Sequence, residues 1–256
     1  MIFKRLSTIM LLALAMCISQ STFAQDDSNA MWENIMITPD NSKLGELTKA
    51  MRAHNQKYHS DGVHKASVFN ISSGPNSNNI IWSMGPMNYK HMDDRPSEGG
   101  HDEDWMNNVM PNIKKIQTIE YWSTWNNDFQ NTAMMPSEEV THPIMFIRIW
   151  EVNPGNGFNL STYFERVSKA IKALDGENPW GIYSNDFIQG KDIGRHFASI
   201  SFWKNWTEFD EGWGSFREAY EKANENSWQS HLNMRDATFT NWWDEIWVYN
   251  KEMSGE

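Results

Sequence analysis

The feature that most constrains the fold is an internal repeat: the chain presents the same order of predicted elements twice. In the first copy, apolar periodicity and turn residues predict a strand at 33–39, a helix at 42–59, strands at 64–72 and 80–85, a helix at 102–116 and a strand at 118–125. In the second copy they predict a strand at 144–152, a helix at 159–174, strands at 180–188 and 196–203, a helix at 215–232 and a strand at 244–250. Pro111 should kink or split the helix in which it stands.

The repeated β-α-β-β-α-β order is that of the ferredoxin-like fold. Right-handed crossovers place both helices of such a module on one side of a four-stranded antiparallel sheet. The other side still carries apolar residues, among them Met36, Trp82 and Trp125, which is too apolar a face to be left in water. We therefore predict an α+β protein in which two tandem ferredoxin-like modules pack sheet to sheet as an internal α/β barrel.

Two segments carry a resemblance to a known family. These are "HNQKYHSDG" at 54–62 and "SFWKNWTEFDEGW" at 201–213. With them, the region 31–250 resembles the dimeric α/β-barrel superfamily, and most closely its NIPSNAP-like and antibiotic-biosynthesis-monooxygenase-like members, which show a strand, a Trp-containing turn and a helix. The first copy departs from this pattern at Gly85 and Pro86, where bulky residues are expected. The resemblance implies a superfamily that includes cofactor-free monooxygenases, isomerases, haem enzymes and proteins without known chemistry.

The N-terminus has the order of a secretory signal peptide: Lys4 and Arg5, an apolar run, and small residues ending at Ala24. We expect export to the periplasm or the medium after cleavage near Ala24. A lipid anchor at Cys17, the only cysteine, remains the alternative, although a lipoprotein signal usually has a small residue where Met16 stands. Cleavage would leave no thiol for disulfides or thiolate metal sites. We divide the chain into a signal peptide at 1–24, a first module at 25–129, a linker at 130–143 and a second module at 144–256.

The charge of the chain argues against nucleic acid as a partner. Removal of residues 1–24, which hold two basic and no acidic residues, would take the formal net charge from −11 to −13. Such a surface repels phosphate backbones, and no run of Lys or Arg opposes it. The apolar run of the signal peptide is shorter than the ~20 residues of a membrane span. No glycine-rich phosphate loop follows a predicted strand, so we expect no nucleotide cofactor. The sequence leaves open whether the chain forms a homo-oligomer.

The two copies differ at one position of their first helices. With Leu44 placed over Leu160, His54 falls over Ala170, at the edge of the apolar face. Either His54 is a boundary residue bonded to a carbonyl or water, or it belongs to a polar pocket between helix and sheet, where the superfamily places its ligands. Tyr58, four residues on, shares its side of the helix. His59 lies about 140° round the helix, so we expect that it does not readily share a metal ion with His54.

A loop of the first copy, 88–105, gathers polar residues within a short stretch. It contains His91, Asp93, Asp94, Arg95, His101, Asp102, Glu103, Asp104 and Trp105. Such a loop could bind a divalent ion or supply a general acid and base, or it could be solvated, with its acidic end favouring the N-terminus of the next helix. The matching stretch of the second copy, 204–215, has no histidine. We therefore assign any chemistry to the first module.

The assignment that results is an exported protein that binds, or acts on, a small apolar or aromatic compound in the first module, as a cofactor-independent oxygenase or isomerase. The residues expected to be catalytic are His54, Tyr58, His91 and Asp93. Those expected to bind the ligand are Trp82, His59, Arg95, His101 and Trp105. No metal site and no cofactor are predicted. The alternatives are a non-catalytic binding or assembly protein and, third, a haem or metal protein, for which His231 is considered because some doubled barrels hold haem through a histidine on a C-terminal helix.

Overall fold

The computed structural model describes residues 30–131, 141–187 and 195–255. The predicted signal peptide, most of the predicted linker and the turn at 188–194 lie outside the described residues. The first half contains β1 (Met31–Pro39), α1 (Leu44–Tyr58), β2 (Ala66–Ser73), β3 (Ile80–Met87), α2 (His101–Asp104) and β4 (Ile113–Thr124). The second half contains β5 (Ile144–Val152), α3 (Leu160–Lys172), β6 (Trp180–Asn185), β7 (Phe197–Trp203), α4 (Trp206–Glu211), α5 (Phe216–Asn224), α6 (Trp228–Thr238), β8 (Phe239–Tyr249) and α7 (Lys251–Ser254).

The eight strands form one closed antiparallel barrel in the order β1-β3-β2-β8-β5-β7-β6-β4. Within each half the last strand lies beside the first, and the third lies between the first and the second. The halves join edge to edge: β2 pairs with β8 and β4 pairs with β6. The predicted fold class is confirmed, and closure explains how the two apolar faces are buried together while the strand edges satisfy one another's backbone groups.

The seam between β4 and β6 is short, and a side chain extends it. Only Trp122, Ser123 and Thr124 of β4 are in register with β6. Beyond them, the amide of Gln130 donates to the carbonyl oxygen of Ile182 at 2.8 Å and accepts from its N–H at 3.0 Å. A Cβ atom at Gly181 would meet Gln130 Oε1 at 2.2 Å, so this approach requires glycine. The start of the predicted linker is therefore part of the second half's sheet.

The buried side chains form three cores. One lies inside the barrel, and the other two lie between the outer face of the barrel and the helices of each half. In the barrel interior, Arg195 pairs with Glu120 of β4 at 2.8 Å and with Glu245 of β8 at 3.1 Å. Both carboxylates also accept hydrogen bonds from indole N–H groups. This triad links strands of both halves.

Two predicted helices differ from the observed ones. The predicted helix at 102–116 ends early: α2 continues as a π-helical turn (Trp105–Val109) and a 3₁₀ turn (Met110–Asn112), and β4 begins at Ile113. Pro111 lies in that last turn, where it ends the helix. The predicted helix at 215–232 is two helices, because Glu225 adopts a positive φ of 48° and Ser227 caps a new helix. Among the described residues, no helix is both long and apolar enough to cross a bilayer.

Candidate functional site

Three histidines of the first half meet in its helix–sheet layer. His54 lies on α1, His59 follows the last residue of α1, and His101 begins α2. All three are buried, with exposed fractions of 0%, 1% and 7%. One nitrogen of each ring lies within 4.8 Å of those of the other two. His59 Nε2 and His101 Nε2 are 3.1 Å apart. This group is called the histidine cluster below.

The expectation that the helical spacing separates His54 from His59 is wrong. It assumed that the helix continues through His59, but α1 ends at Tyr58, and His59 has a non-helical φ of −136°. The ring of His59 consequently turns back toward the ring of His54, and the two centroids are 5.3 Å apart. Residues five apart can share a site when the helix ends between them.

The Nδ1 atom of each clustered histidine faces an oxygen. His59 Nδ1 lies 2.9 Å from the carbonyl oxygen of His64, His101 Nδ1 lies 2.7 Å from Asp102 Oδ1, and His54 Nδ1 lies 2.8 Å from Asp104 Oδ2. Because those oxygens accept hydrogen bonds, each Nδ1 must carry the proton. In the neutral form of each ring, the Nε2 atom then carries a lone pair. Within the described residues, His54 Nε2 is buried without a hydrogen-bond partner.

Burial favours the neutral form of two of these rings, those of His54 and His59. It lowers the pKa of His54 below its usual range, although the hydrogen bond to Asp104 opposes the shift. It lowers the pKa of His59 to about 3. For Asp104, burial raises the pKa, but hydrogen bonds from His54 and Asn108 outweigh it and the pKa is lowered overall. Near pH 7 the neutral forms of His54 and His59 are therefore favoured, beside the ionised carboxylate of Asp104.

Aromatic side chains enclose the histidine cluster. The ring centroids of Trp105 and Tyr58 each lie 5.1 Å from that of His54, and the centroid of Trp82 lies 5.1 Å from that of His59. Trp82 Nε1 donates to Asn55 Oδ1 at 2.9 Å, which fixes the indole against α1. Rings at these separations touch. The rings of Tyr58, Trp82 and Trp105 thus pack directly against the histidine cluster.

The structure divides the predicted site residues into two groups. One group surrounds His54 and His59 and is connected by ring contacts: Tyr58, Trp82, His101 and Trp105. The remaining three lie elsewhere. His91 Nδ1 accepts from the N–H of Asn88, Asp93 is exposed, and Arg95 is paired with Glu33 of β1 at 2.9 Å. The polar loop therefore contributes its C-terminal end to the cluster and not its middle.

The second half has a cavity of about 370 Å³ in the matching layer, between the outer face of β5 and β7 and the helices α3, α5 and α6. We call it the second-half cavity. Its walls are mainly aromatic and include Trp150, Tyr163, Phe164, Trp180, Trp203 and Phe216. Arg148, His231 and Arg235 supply its charged or titratable groups. Sequence reasoning missed this cavity; the tryptophans of β5, β6 and β7 were the available signal.

His231 is held rigidly at this cavity. Its ring stacks on Tyr163 at 5.2 Å and on Trp228 at 4.6 Å, and among the described residues its Nδ1 is buried without a hydrogen-bond partner. Burial, and then the charge of Arg235, lowers the pKa of His231 to about 4. The imidazole is therefore neutral near pH 7 and able to accept a proton.

The two arginines at this cavity are each partly neutralised. Arg148 forms two hydrogen bonds to Asp244, at 2.6 and 2.8 Å, and lies over the ring of Trp150. Arg235 pairs with Asp236 and lies 4.5 Å from the ring centroid of Trp242. Both side chains are partly exposed, so they border the entrance rather than the floor. They can donate hydrogen bonds to an oxygen of a bound molecule.

A further cavity of about 420 Å³ lies inside the barrel. Its wall is largely apolar and includes Phe69, Trp122, Ile147 and Tyr183. Arg195 also borders it, but this guanidinium is already shared by Glu120 and Glu245. The interior cavity can hold an apolar molecule, whereas the mainly aromatic wall of the second-half cavity includes His231, whose buried Nδ1 has no hydrogen-bond partner among the described residues.

Neither the scan of protein-family models nor the search of curated proteins finds a match for this chain. Solved structures do match. A proposed monooxygenase from Lactobacillus acidophilus NCFM is 10% identical with a TM-score of 0.52, covering 87% of this chain and 94% of that one. An anthrone oxidase-like protein is 11% identical with a TM-score of 0.50, covering 88% and 92%. Chlorite dismutase from Candidatus Nitrospira defluvii in complex with imidazole is 5% identical with a TM-score of 0.53, covering 89% and 93%.

At these identities the likeness establishes the fold and no activity. The neighbours are dimeric α/β-barrel proteins of the antibiotic-biosynthesis-monooxygenase-like and chlorite-dismutase-like kinds. The chain has the dimeric α/β-barrel fold.

Proposed function

We propose that the chain binds an apolar or aromatic compound in the second-half cavity and removes a proton from it, as a cofactor-independent oxygenase or isomerase. The observation that carries this is the pairing of a 370 Å³ aromatic cavity with His231, whose Nδ1 has no partner among the described residues. We therefore propose the second half, rather than the surroundings of His54, as the place of the reaction.

His231 supplies the base. A neutral imidazole accepts a proton from an acidic C–H or O–H group of the bound molecule, and the stacking on Tyr163 and Trp228 fixes the ring for that transfer. A negative charge that develops on the ligand raises the proton affinity of His231 and attracts Arg148 and Arg235. An isomerase returns the proton at another carbon, and an oxygenase lets the electron-rich anion react with dioxygen.

Anthrone is a suitable probe, because it is apolar, aromatic and carries acidic C–H bonds, and because one structural neighbour is anthrone oxidase-like. Its oxidation is balanced as anthrone plus O₂ giving anthraquinone plus water. We expect binding, measured by quenching of tryptophan fluorescence, and an accelerated appearance of anthraquinone, measured by absorbance. His231→Gln should keep the binding and lose most of the acceleration.

A blocked cavity provides the matched control. Val167 of α3 lines the cavity, whereas Thr162 of the same helix is exposed. Val167→Trp should abolish binding of anthrone and of 8-anilinonaphthalene-1-sulfonate, while Thr162→Trp should leave both unchanged. If both variants bind as the unmodified chain does, the ligand occupies the barrel interior or the surface, and the proposal fails.

Two further points of the proposal concern the export of the chain and its origin by duplication. We propose that cleavage near Ala24 releases the mature chain, supported by the charged, apolar and small-residue order of 1–24. We also propose a tandem duplication of NIPSNAP-like type, supported by the same strand order in both halves. N-terminal sequencing of the protein from its native host tests the first point; a start near Gln25 is expected, and a retained Met1 would contradict it.

A further inference from the structure

We propose that His54, His59 and His101 bind one divalent, late first-row transition-metal ion, such as zinc, through their Nε2 atoms. This inference is independent of the proposed function, because it concerns the first half and no residue of the second-half cavity.

The separations of the nitrogens fit a metal ion. Zinc–nitrogen bonds of 2.0–2.1 Å in a tetrahedral site place two ligand nitrogens about 3.3 Å apart. His59 Nε2 and His101 Nε2 lie 3.1 Å apart, and the ligand atom of His54 is within 4.8 Å of each. Small rotations of a ring close the remaining gap. Imidazole is a ligand that suits zinc, copper, nickel and iron.

The hydrogen bonds made by the Nδ1 atoms leave the Nε2 atoms of the cluster as lone-pair acceptors that face one another. Because each Nδ1 donates to an oxygen, His59 Nε2 and His101 Nε2 are both acceptors, and two acceptors at 3.1 Å repel each other. A positive species between them removes the repulsion. It is either a shared proton or a metal ion, and only the metal ion also satisfies the unpartnered Nε2 of His54.

The surroundings have the form of an outer shell for a metal. Ligand histidines usually donate their second N–H to a carboxylate or a backbone carbonyl, which fixes the tautomer and orients the ring. Here Asp104, Asp102 and the carbonyl of His64 take those three positions. Asn108 in turn donates to Asp104 at 2.7 Å. The helix–sheet layer around them, with Trp82 and Trp105, holds the rings in place.

The site has an entry path and an open coordination position. The side chain of Asp104 is 25% exposed and that of His101 is 9% exposed, so the cluster borders solvent along α2. The described residues supply three protein donors, and a tetrahedral ion then takes a water molecule as its fourth ligand, the arrangement of catalytic rather than structural zinc. Such an ion would polarise a carbonyl group or activate its bound water.

The test is metal binding by the purified full chain after chelation and dialysis. Titration with ZnCl₂ in a calorimeter should give one site per chain, and CoCl₂ should give the visible absorption of a tetrahedral complex. His101→Ala should weaken binding at least 100-fold. Asp104→Asn keeps the shape of the side chain and should weaken it by about 10- to 100-fold, through loss of the outer-shell charge.

Two histidines outside the cluster serve as controls. His91→Asn, in the same loop, and His231→Gln, in the second half, should leave zinc and cobalt binding unchanged. Circular dichroism of the metal-free Asp104→Asn variant should match that of the unmodified chain, which separates lost affinity from lost folding. The proposal would be overturned if the unmodified chain bound neither zinc nor cobalt. It would also be overturned if His101→Ala and Asp104→Asn bound these ions as tightly as the unmodified chain does. Persistence of an Nε2 proton on His59 or His101 in excess zinc, seen by nitrogen-15 NMR, would assign the contact to a shared proton instead.

Discussion

Removal of Arg195 from the barrel interior should be among the most destabilising single changes in this chain. Arg195, Glu120 and Glu245 are 4%, 2% and 0% exposed. Burial lowers the pKa of Arg195, but the two carboxylates outweigh it and raise the pKa overall. One guanidinium thus serves two carboxylates, and the triad carries a net charge of −1. Arg195→Met leaves two buried negative charges with no cation beside them.

The expected loss is about 3–5 kcal/mol of unfolding free energy, the cost of leaving a buried charge unpaired. Glu120→Gln should cost only about 1–2 kcal/mol. It removes one charge-assisted hydrogen bond but leaves Arg195 paired with Glu245 and the triad neutral. Arg195→Met removes both ion pairs of the triad and Glu120→Gln removes one, and only the arginine substitution leaves carboxylates without a cation.

Urea unfolding followed by tryptophan fluorescence and far-UV circular dichroism measures both losses, with equal m-values required for the comparison. The reasoning fails if Arg195→Met lies within about 1 kcal/mol of the unmodified chain, or if Glu120→Gln costs as much as Arg195→Met. A domain of ordinary stability has about 5–15 kcal/mol in total, so the larger loss is readily measured.

The remaining predictions concern titration, the seam and the helix layers. The pKa of His231 falls from 6.5 to about 4 on folding, so the folded state binds fewer protons than the unfolded state and becomes less stable as the pH falls below 6.5. Between pH 7 and pH 4 the unmodified chain should therefore lose about 3 kcal/mol more unfolding free energy than His231→Phe does, measured by urea unfolding at each pH. Gln130→Ala leaves the N–H of Ile182 unpaired, whereas its carbonyl oxygen keeps the bond from the N–H of Trp125, so it should cost about 1–3 kcal/mol and speed hydrogen exchange at the Ile182 amide; unchanged exchange would contradict this. Met51→Ala, in the filled first-half layer, should cost about 2–5 kcal/mol, and Val167→Ala less, because Val167 already borders a cavity; equal thermal shifts would show that the two layers are packed alike.

The sequence was sufficient for the order of elements. Strand β5 was predicted with its observed bounds, because 144–152 is a short, mainly apolar run rich in isoleucine and aromatic residues, and Pro143 and Asn153 flank it. Prediction from the sequence failed where the spacing of apolar residues fits a helix as well as a strand. In β4, Lys114 and Lys115 interrupt the alternation at the exposed end of the strand, so the segment 113–116 was taken as the end of a helix.

The histidine cluster depended on information that a helical pattern does not contain. His54 was identified because the equivalent residue of the second half is Ala170. His59 was identified as well, but its role was misjudged, since a shift of one residue in the end of α1 changes the direction of its ring. His101 lies 42 positions from His59, and only the packing of α2 on α1 brings them together. The second-half cavity was missed for a similar reason: a pattern indicates which faces are buried but not where packing is incomplete.

We propose that the first half binds a metal ion and the second half an organic ligand. The most direct measurement is a crystal structure of the chain with zinc and anthrone, recorded at the zinc absorption edge. We predict one anomalous peak between the Nε2 atoms of His54, His59 and His101, and ring-shaped density beside His231. Zinc elsewhere on the chain with the cluster nitrogens still 3.1 Å apart, or anthrone only inside the barrel, would contradict the account.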